Sequence, residues 1–384
     1  MAGSDPLVAQ ADRAMASADL AAAERLLTAA SVAAPADVPI LLKLAAVQRG
    51  AGRVERALAT VDQALAAQPL DFTALLMRAS LLDRLKQSGT DEAWSHALAQ
   101  LPAGDLPAEM QAIVVKARAR VEAWVAARDA KMMAAMAAAE AAADEDERAR
   151  MGRFRSNVLR RTRPYHSEPT HFHYPGLVER EFHPRKAFPW LPMLEGATEI
   201  IAAELEAVMR AERTQLVPYV QYAEHLPLDQ WKELNQNRDW SAIHLLRHGE
   251  MVEANAGHCP RTLKLLAQCA QPHIGSACPN AMFSLLAPHT AIPPHVGVQN
   301  SRLVCHLPLI VPAGCWFRVG AETRFWERGA AFVFDDTIEH EAANPTEHLR
   351  VVLIFDTWHP DLSPAERQAV KALIEADGIP GDRL

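Results

Sequence analysis

Apolar and small residues recur with helical spacing through the first quarter of the chain. Two matching sets stand 34 residues apart: Ala23, Leu27, Ala30 and Pro35, and then Ala57, Val61, Ala64 and Pro69. Small side chains at fixed positions allow two helices to pack closely, and the proline ends the second helix of each pair. The pattern predicts stacked helix pairs in residues 1–106, with a third unit offset by a short insertion at Ser88-Gly89-Thr90.

This period resembles that of a tetratricopeptide array, in which each helix pair buries its apolar face against a neighbour. A generic alanine-rich helical bundle is the alternative. Residues 107–163 contain no proline after Pro107 and are rich in helix-forming residues. They predict one long helical stretch that caps the repeats and then connects them to the rest of the chain.

From residue 164 to residue 384, short apolar runs alternate with turn residues. Strand-like runs cover residues 281–286, 302–311, 315–319, 322–326, 330–334 and 349–356. Helices are expected at 196–213 and 257–272, and the Pro-rich stretch 287–295 is interpreted as a turn. Short strands separated by turns at roughly 8- to 12-residue spacing favour an antiparallel sandwich or barrel over a parallel sheet. The sequence therefore predicts an α + β multidomain protein.

Composition and charge narrow the function classes. The 384 residues carry 39 basic and 47 acidic side chains, a net charge of −8, which gives no support for nucleic-acid binding. No apolar run is long enough for a transmembrane helix, and the first residues lack a signal-peptide pattern. Five cysteines without a CxxC pair indicate reduced thiols, so we expect a cytoplasmic protein. The dinucleotide, P-loop and hydrolase-elbow motifs are absent from the sequence.

Three histidines stand at strands or turns of the β region: His295, His306 and His340. One such histidine is more often a structural residue than a ligand. Neutral imidazole is nevertheless the commonest protein ligand for metals such as Fe(II), and the grouping favours a metal site. Ten residues after His340 comes Arg350, where an unpaired buried guanidinium would imply an anionic ligand. A surface arginine on a strand is the alternative.

The stretch from His295 to Pro360 resembles the aspartyl/asparaginyl β-hydroxylase family. The landmarks are His-x-Gly at His295, His-Leu-x-Leu at His306, the block from Phe334 to Glu341, and Trp358-His359-Pro360. The resemblance covers about residues 165–365. It implies a double-stranded β-helix (cupin or jelly-roll) domain that is a dioxygenase using Fe(II), 2-oxoglutarate as cosubstrate, and O2.

The resemblance also implies a role for each candidate residue. His295 and His340 would be the metal ligands at the catalytic centre. Arg350 and Ser284 would bind the distal carboxylate of 2-oxoglutarate, and His306 would contact the carboxylate that chelates the iron.

Several further positions bear on the third metal ligand and on the base that would bind the substrate. Most 2-oxoglutarate oxygenases place a carboxylate ligand where this chain has Gly297, and the family is unusual in lacking it. Asp335 and Asp336 are alternatives for a third ligand, but the resemblance makes them turn residues that support the site. A further arginine common in the family is replaced by Val304, and Arg302 is then the nearest base for binding the substrate.

The resemblance implies an enzyme that hydroxylates the β-carbon of an Asp or Asn side chain in a peptide or protein. The predicted domains are residues 1–106, the tetratricopeptide-like repeats; 107–163, the capping and connecting helix; and 164–384, the oxygenase. The repeats are expected to offer an extended groove through which the peptide or protein substrate binds. Two alternatives stay open. One is hydroxylation of a small molecule or fatty-acyl chain on the same fold, and the other is an interaction scaffold with an inactive oxygenase domain.

Overall fold

A computed structural model describes residues 5–211, 215–223, 225 and 228–378 of the chain. The chain divides into two compact units, Met1–Ala139 and Glu140–Leu384. Within the described residues, no helix is long and apolar enough to cross a bilayer.

The first unit is helical. Its helices are α1 (Asp5–Ala16), α2 (Leu20–Ala33), α3 (Val38–Gly50), α4 (Val54–Ala67), α5 (Phe72–Arg84), α6 (Thr90–Ala99) and most of α7 (Ala108–Ala142). From α1 to α6, each helix packs against the next one in sequence. The small residues expected at these contacts are fully buried, including Ala23, Ala30, Ala57 and Ala64. The predicted repeat of helix pairs is therefore present in the structure.

Local capping explains where several of these helices begin. Asp19, Asp37 and Asp71 precede α2, α3 and α5, and each side chain accepts a hydrogen bond from the backbone N–H three residues later. Such a bond satisfies one of the amide groups that a helix leaves unpaired at its start. Two of these aspartates, Asp37 and Asp71, follow the 34-residue period of the sequence.

The stretch 107–163, predicted as one helical run, forms two helices. The helix α7 ends at Ala142, and α8 (Glu145–Val158) begins after Asp144. Asp144 and Glu147 form a capping box, in which each side chain accepts a hydrogen bond from the other residue's backbone N–H. This Asp-x-x-Glu pattern is visible in the sequence, and it starts a new helix despite the high helix propensity of the surrounding alanines.

The second unit combines helices with two antiparallel sheets. After α8 come the helices α9 (Leu191–Gly196), α10 (Thr198–Arg210), α11 (Glu253–Ala256), α12 (Pro260–Leu266) and α13 (Pro364–Asp377). Its strands are β1 (Leu216–Pro218), β2 (Trp240–Arg247), β3 (Glu250–Met251), β4 (Ala281–Leu286), β5 (Thr290–His295), β6 (Arg302–Ile310), β7 (Trp316–Val319), β8 (Glu322–Phe325), β9 (Phe332–Phe334), β10 (His340–Asn344) and β11 (Arg350–Trp358). The larger sheet has the order β1-β2-β4-β11-β6-β9 with β3 beside β2, and the smaller sheet has the order β5-β10-β7-β8. The predicted class, a helical region followed by antiparallel β structure, is confirmed at this level.

Several elements differ from the sequence prediction. The Pro-rich stretch interpreted as a turn contains β5, which lies at the edge of the smaller sheet. An edge strand tolerates Pro293 and Pro294 because one side of its backbone needs no hydrogen-bond partner. The strand β2 was not predicted, and α12 is shorter than the predicted helix 257–272. Residues 212 and 213 of the predicted helix 196–213 lie outside the described residues.

Strand alternation divides the second unit into two cores. On β6, Leu303 and Cys305 face the helices α9, α10 and α12, in a core that also contains Leu205. Val304 faces the opposite way, into a core shared with Phe317 of the smaller sheet. The inner core thus lies between the two sheets, and inward-facing residues of both sheets meet there.

Candidate active site

The structure brings His295 and His340 together. His295 is the last residue of β5 and His340 the first of β10, and they are direct partners across the antiparallel pair. Their ring centroids are 4.0 Å apart. The Nδ1 atom of His295 lies 2.8 Å from the carbonyl oxygen of Pro293, and that of His340 lies 3.1 Å from the carbonyl oxygen of Ile338. Since a carbonyl only accepts hydrogen bonds, both Nδ1 atoms carry the hydrogen, which leaves both Nε2 lone pairs for a metal.

Burial also keeps this pair in the form that binds metals. Burial lowers the pKa of His295 to about 3, and the neighbouring His340 lowers it further. Burial likewise lowers the pKa of His340 to about 4. Both imidazoles are therefore neutral near pH 7, which is the state in which histidine coordinates a metal.

The position of a third ligand is filled in an unusual way. A Cβ atom placed on Gly297 would overlap the carboxylate of Asp336, so that carboxylate lies where a side chain at residue 297 would begin. Asp335 instead stabilises the turn, because its Oδ1 accepts hydrogen bonds from the backbone N–H and the hydroxyl of Thr337. Among the described residues, no three His, Cys, Asp or Glu side chains are arranged as a metal site. The candidate ligand set is therefore the pair of histidines.

Arg350 is a buried cation whose hydrogen-bond donors are not all used. Its side chain is 1% exposed, and it forms no ion pair with any described residue. Its Nη1 donates hydrogen bonds to the carbonyl oxygen and the hydroxyl oxygen of Ser284, at 3.1 and 3.4 Å. Its Nε has no hydrogen-bond partner in the described part of the chain. Burial lowers the pKa of Arg350 to about 10. A guanidinium in this condition favours binding an anion such as a carboxylate.

Ser284 and His306 extend this polar group. The Ser284 hydroxyl accepts from Trp240 Nε1 at 3.1 Å as well as from Arg350, so its own hydrogen is available for an acceptor. Burial holds the pKa of His306 well below its usual value, and the charges of Arg350 and His340 lower it further. His306 Nδ1 has no partner among the described residues. His306 thus stands within electrostatic reach of both the histidine pair and Arg350.

The predicted substrate-binding residue, Arg302, is held by two carboxylates. Its Nη1 lies 2.9 Å from Asp336 Oδ2, and its Nε lies 3.6 Å from Asp356 Oδ1. Asp356 in turn accepts hydrogen bonds from the backbone and side-chain N–H groups of Asn280. Val304 lies on the same face of β6, two residues further along, and is 7% exposed.

Known proteins resemble the second unit most clearly. A sequence model of the family described as Aspartyl/Asparaginyl beta-hydroxylase matches residues 195–360. The aspartyl/asparaginyl beta-hydroxylase of Mus musculus is 34% identical over 49% of this chain and 25% of that protein. The aspartate beta-hydroxylase domain-containing protein 2 of Xenopus tropicalis is 31% identical over 58% of this chain and 57% of that protein. The ornithine lipid ester-linked acyl 2-hydroxylase of Rhizobium tropici is 31% identical over 52% of this chain and 68% of that protein. The chain belongs to the aspartyl/asparaginyl β-hydroxylase family.

The match is partial for the first two of these relatives. The chain spans 25% of the mouse aspartyl/asparaginyl β-hydroxylase and 57% of the frog protein. The helical region is similar to the TPR domain of Sgt2 from Aspergillus fumigatus, with 24% identity over 32% of this chain and 81% of that chain and a TM-score of 0.29.

In this member of the β-hydroxylase family, some site residues were missed by the sequence prediction. Trp240 stacks on Tyr219 with ring centroids 3.8 Å apart, and Trp231 lies 5.0 Å from the His295 ring. Asp356 was assigned only to a strand, yet it is an ion-pair partner of Arg302. The apolar run beginning at Trp240 was a signal for β2, but no sequence feature indicated which side chains would meet at the histidines.

Proposed function

We propose that the second unit is an Fe(II)- and 2-oxoglutarate-dependent dioxygenase, and that its two sheets are the halves of a double-stranded β-helix. The observation that carries this proposal is the pair of facing histidines whose Nδ1 atoms point at backbone carbonyl oxygens, in the same inner core as the guanidinium of Arg350, which has no acidic partner among the described residues. Iron held by His295 and His340 would supply the oxidation chemistry, in which O2 converts 2-oxoglutarate to succinate and CO2 while a C–H bond is hydroxylated.

The residues of the chain would bind and orient the cosubstrate. The guanidinium of Arg350 would hold the distal carboxylate of 2-oxoglutarate, because planar N–H donors match the two oxygens of a carboxylate. The free hydroxyl hydrogen of Ser284 would donate to the same carboxylate, with the hydroxyl fixed by Trp240. His306 would contact the other carboxylate through an imidazole nitrogen that has no partner among the described residues.

The surrounding rings would exclude water from the reacting atoms. Phe334 and Phe317 lie 5.5 and 5.9 Å from the His340 ring, and Trp231 lies against His295. A dry cavity strengthens the electrostatic contacts to the cosubstrate and protects reactive species from side reactions.

The first candidate substrate is an Asp or Asn side chain in a peptide or protein, hydroxylated at the β-carbon. The names of the vertebrate relatives support this candidate, and the helical repeats would provide a surface for the peptide. A second candidate is a fatty-acyl chain or small molecule. It is favoured by the apolar Val304 in the inner core and by the named activity of the Rhizobium tropici relative.

The test is aerobic incubation of the whole chain with Fe(II) and 2-oxoglutarate, with succinate measured by NMR and Fe(II) binding by calorimetry under argon. We expect His340→Ala and His295→Ala to lose tight Fe(II) binding and succinate formation, with unchanged circular dichroism. His289→Asn is the matched control, because His289 is an exposed histidine with positive φ immediately before β5, and asparagine is tolerated in that conformation.

Two results would contradict the proposal. If the double alanine variant still binds Fe(II) tightly, the histidine pair is not the metal site. If the wild-type chain binds iron and cosubstrate but forms no succinate with any candidate substrate, the scaffold alternative is preferred.

A further inference from the structure

Four neighbouring strands of the larger sheet contain few positive charges. The strands β4, β6, β9 and β11 contain two cationic residues, Arg302 and Arg350. Arg350 is the residue that the proposed function assigns to the cosubstrate. Any anionic group of a substrate in this part of the inner core would therefore depend on Arg302.

The positive charge of Arg302 is already neutralised by carboxylates of the protein, so it is not available to a substrate. Its guanidinium is shared by two buried carboxylates, Asp336 at 2.9 Å and Asp356 at 3.6 Å, and its side chain is only 12% exposed. Asp336 Oδ1 accepts no hydrogen bond from any described residue. A third carboxylate beside this cluster would be repelled by Asp336 instead of being bound by Arg302.

Val304 increases this effect. It lies between Arg302 and His306 on the same face of β6, opposite Phe334 on one side and Asp356 on the other. Its side chain is packed in the inner core with the aromatic residues Phe317 and Phe334. An aliphatic side chain at this position offers a substrate neither a hydrogen bond nor a charge.

A loaded site would be electrically balanced without any anion from the substrate. Counted together, the doubly charged metal and the two arginines carry four positive charges, and the two carboxylates of 2-oxoglutarate together with Asp336 and Asp356 carry four negative charges. The two histidine ligands are neutral and add no charge. A substrate carboxylate would then be buried without a compensating cation, which is strongly unfavourable.

We infer that this site selects a substrate whose group next to the hydroxylated carbon is uncharged, such as a carboxamide or an alkyl chain, over one with a carboxylate. This inference rests on the proposed function and makes it more specific. Val304 and the neutralised Arg302 are the residues that determine the selectivity.

The experiment uses three blocked pentapeptides that differ only in the central residue, which is aspartate, asparagine or leucine. These side chains have nearly the same shape but differ in charge and polarity. Binding to the whole chain, loaded with Fe(II) and 2-oxoglutarate under argon, is measured by calorimetry. We expect the asparagine or the leucine peptide, or both, to bind at least about tenfold more tightly than the aspartate peptide, a difference of about 1.4 kcal/mol. Whichever of the asparagine and leucine peptides binds more tightly shows whether the site prefers a carboxamide or an alkyl group.

Two substitutions separate charge from size. Val304→Arg is expected to improve binding of the aspartate peptide at least about tenfold. Val304→Met, which adds length without charge, is expected to preserve the wild-type order of affinities. If Val304→Arg does not fold, the order of the three peptide affinities for the wild-type chain tests the inference by itself.

The inference is overturned if the aspartate peptide binds as tightly as the other two, or if none of the three binds. Either result leaves the proposed function standing as long as the loaded complex forms. If the chain binds neither Fe(II) nor 2-oxoglutarate in the preceding titrations, the proposed function fails, and the inference fails with it.

Discussion

Replacing Arg350 with methionine should make the protein more stable while removing its affinity for 2-oxoglutarate. Arg350 is 1% exposed and has no acidic partner among the described residues. Its charge is therefore a cost to the folded chain in the absence of an anion. Methionine has a similar length and is apolar, so it can fill the same space in the inner core.

The structure gives the size of this effect. Burial lowers the pKa of Arg350 from 12.5 to about 10. At about 1.4 kcal/mol per pKa unit, the buried charge costs the folded state roughly 3 kcal/mol. The lost hydrogen bonds to Ser284 and the lost cation–π contact with Trp326, whose ring centroid is 4.8 Å from the guanidinium carbon, offset about 1 to 2 kcal/mol of that. We therefore expect Arg350→Met to raise the free energy of unfolding by about 1 to 2 kcal/mol without ligand.

The assay is urea unfolding of the whole chain, with and without 2-oxoglutarate. The wild type should gain about 2.7 kcal/mol at a ligand concentration of 100 times Kd. Arg350→Met should gain nothing measurable. Arg302→Met is the matched control, because the same substitution there leaves Asp336 and Asp356 without their cation. It should lower the free energy of unfolding by about 3 to 5 kcal/mol.

We therefore expect the same substitution at two buried arginines of one core to change the free energy of unfolding in opposite directions. A loss of more than about 1 kcal/mol for Arg350→Met without ligand would show that Arg350 supports the fold. A full 2-oxoglutarate effect in that variant would show that the cosubstrate binds elsewhere. Either result would refute the assignment of Arg350 as an anion-binding residue.

Two further predictions concern Gly297 and His183. Gly297→Asp should not create a third ligand, because Asp336 fills that space. We expect a loss of about 1 to 3 kcal/mol in urea unfolding and no gain in Fe(II) affinity, and a gain at unchanged stability would contradict this. Burial lowers the pKa of His183 to about 3, so between pH 6.5 and 3 the unfolded chain takes up a proton that the folded chain does not. The free energy of unfolding should therefore decrease as the pH is lowered through this range, and His183→Met should weaken this pH dependence in melting curves. An unchanged slope of stability against pH in the variant would contradict the burial of a neutral imidazole.

Much of the local structure could be predicted because its causes lie within a few residues. The helix pairs follow from small residues at a fixed period, and the long strands β4, β6 and β11 follow from apolar runs between turns. The break between α7 and α8 was also present in the sequence, as the capping pattern at Asp144, but it was outweighed by helix propensity. The strand β5 was hidden by prolines whose acceptability depends on the strand's place at a sheet edge.

The candidate site shows the same division. The sequence alone singled out His295, His340 and Arg350 as residues suited to bind a metal and an anion. Only the tertiary structure decided that the two histidines are direct partners across β5 and β10. It also decided that, among the residues it describes, Arg302 has two carboxylate partners and Arg350 has none. The physical reason is that residue type and spacing fix what a side chain can bind, whereas strand register and burial determine which charges it meets and how strongly they act in a core that excludes water.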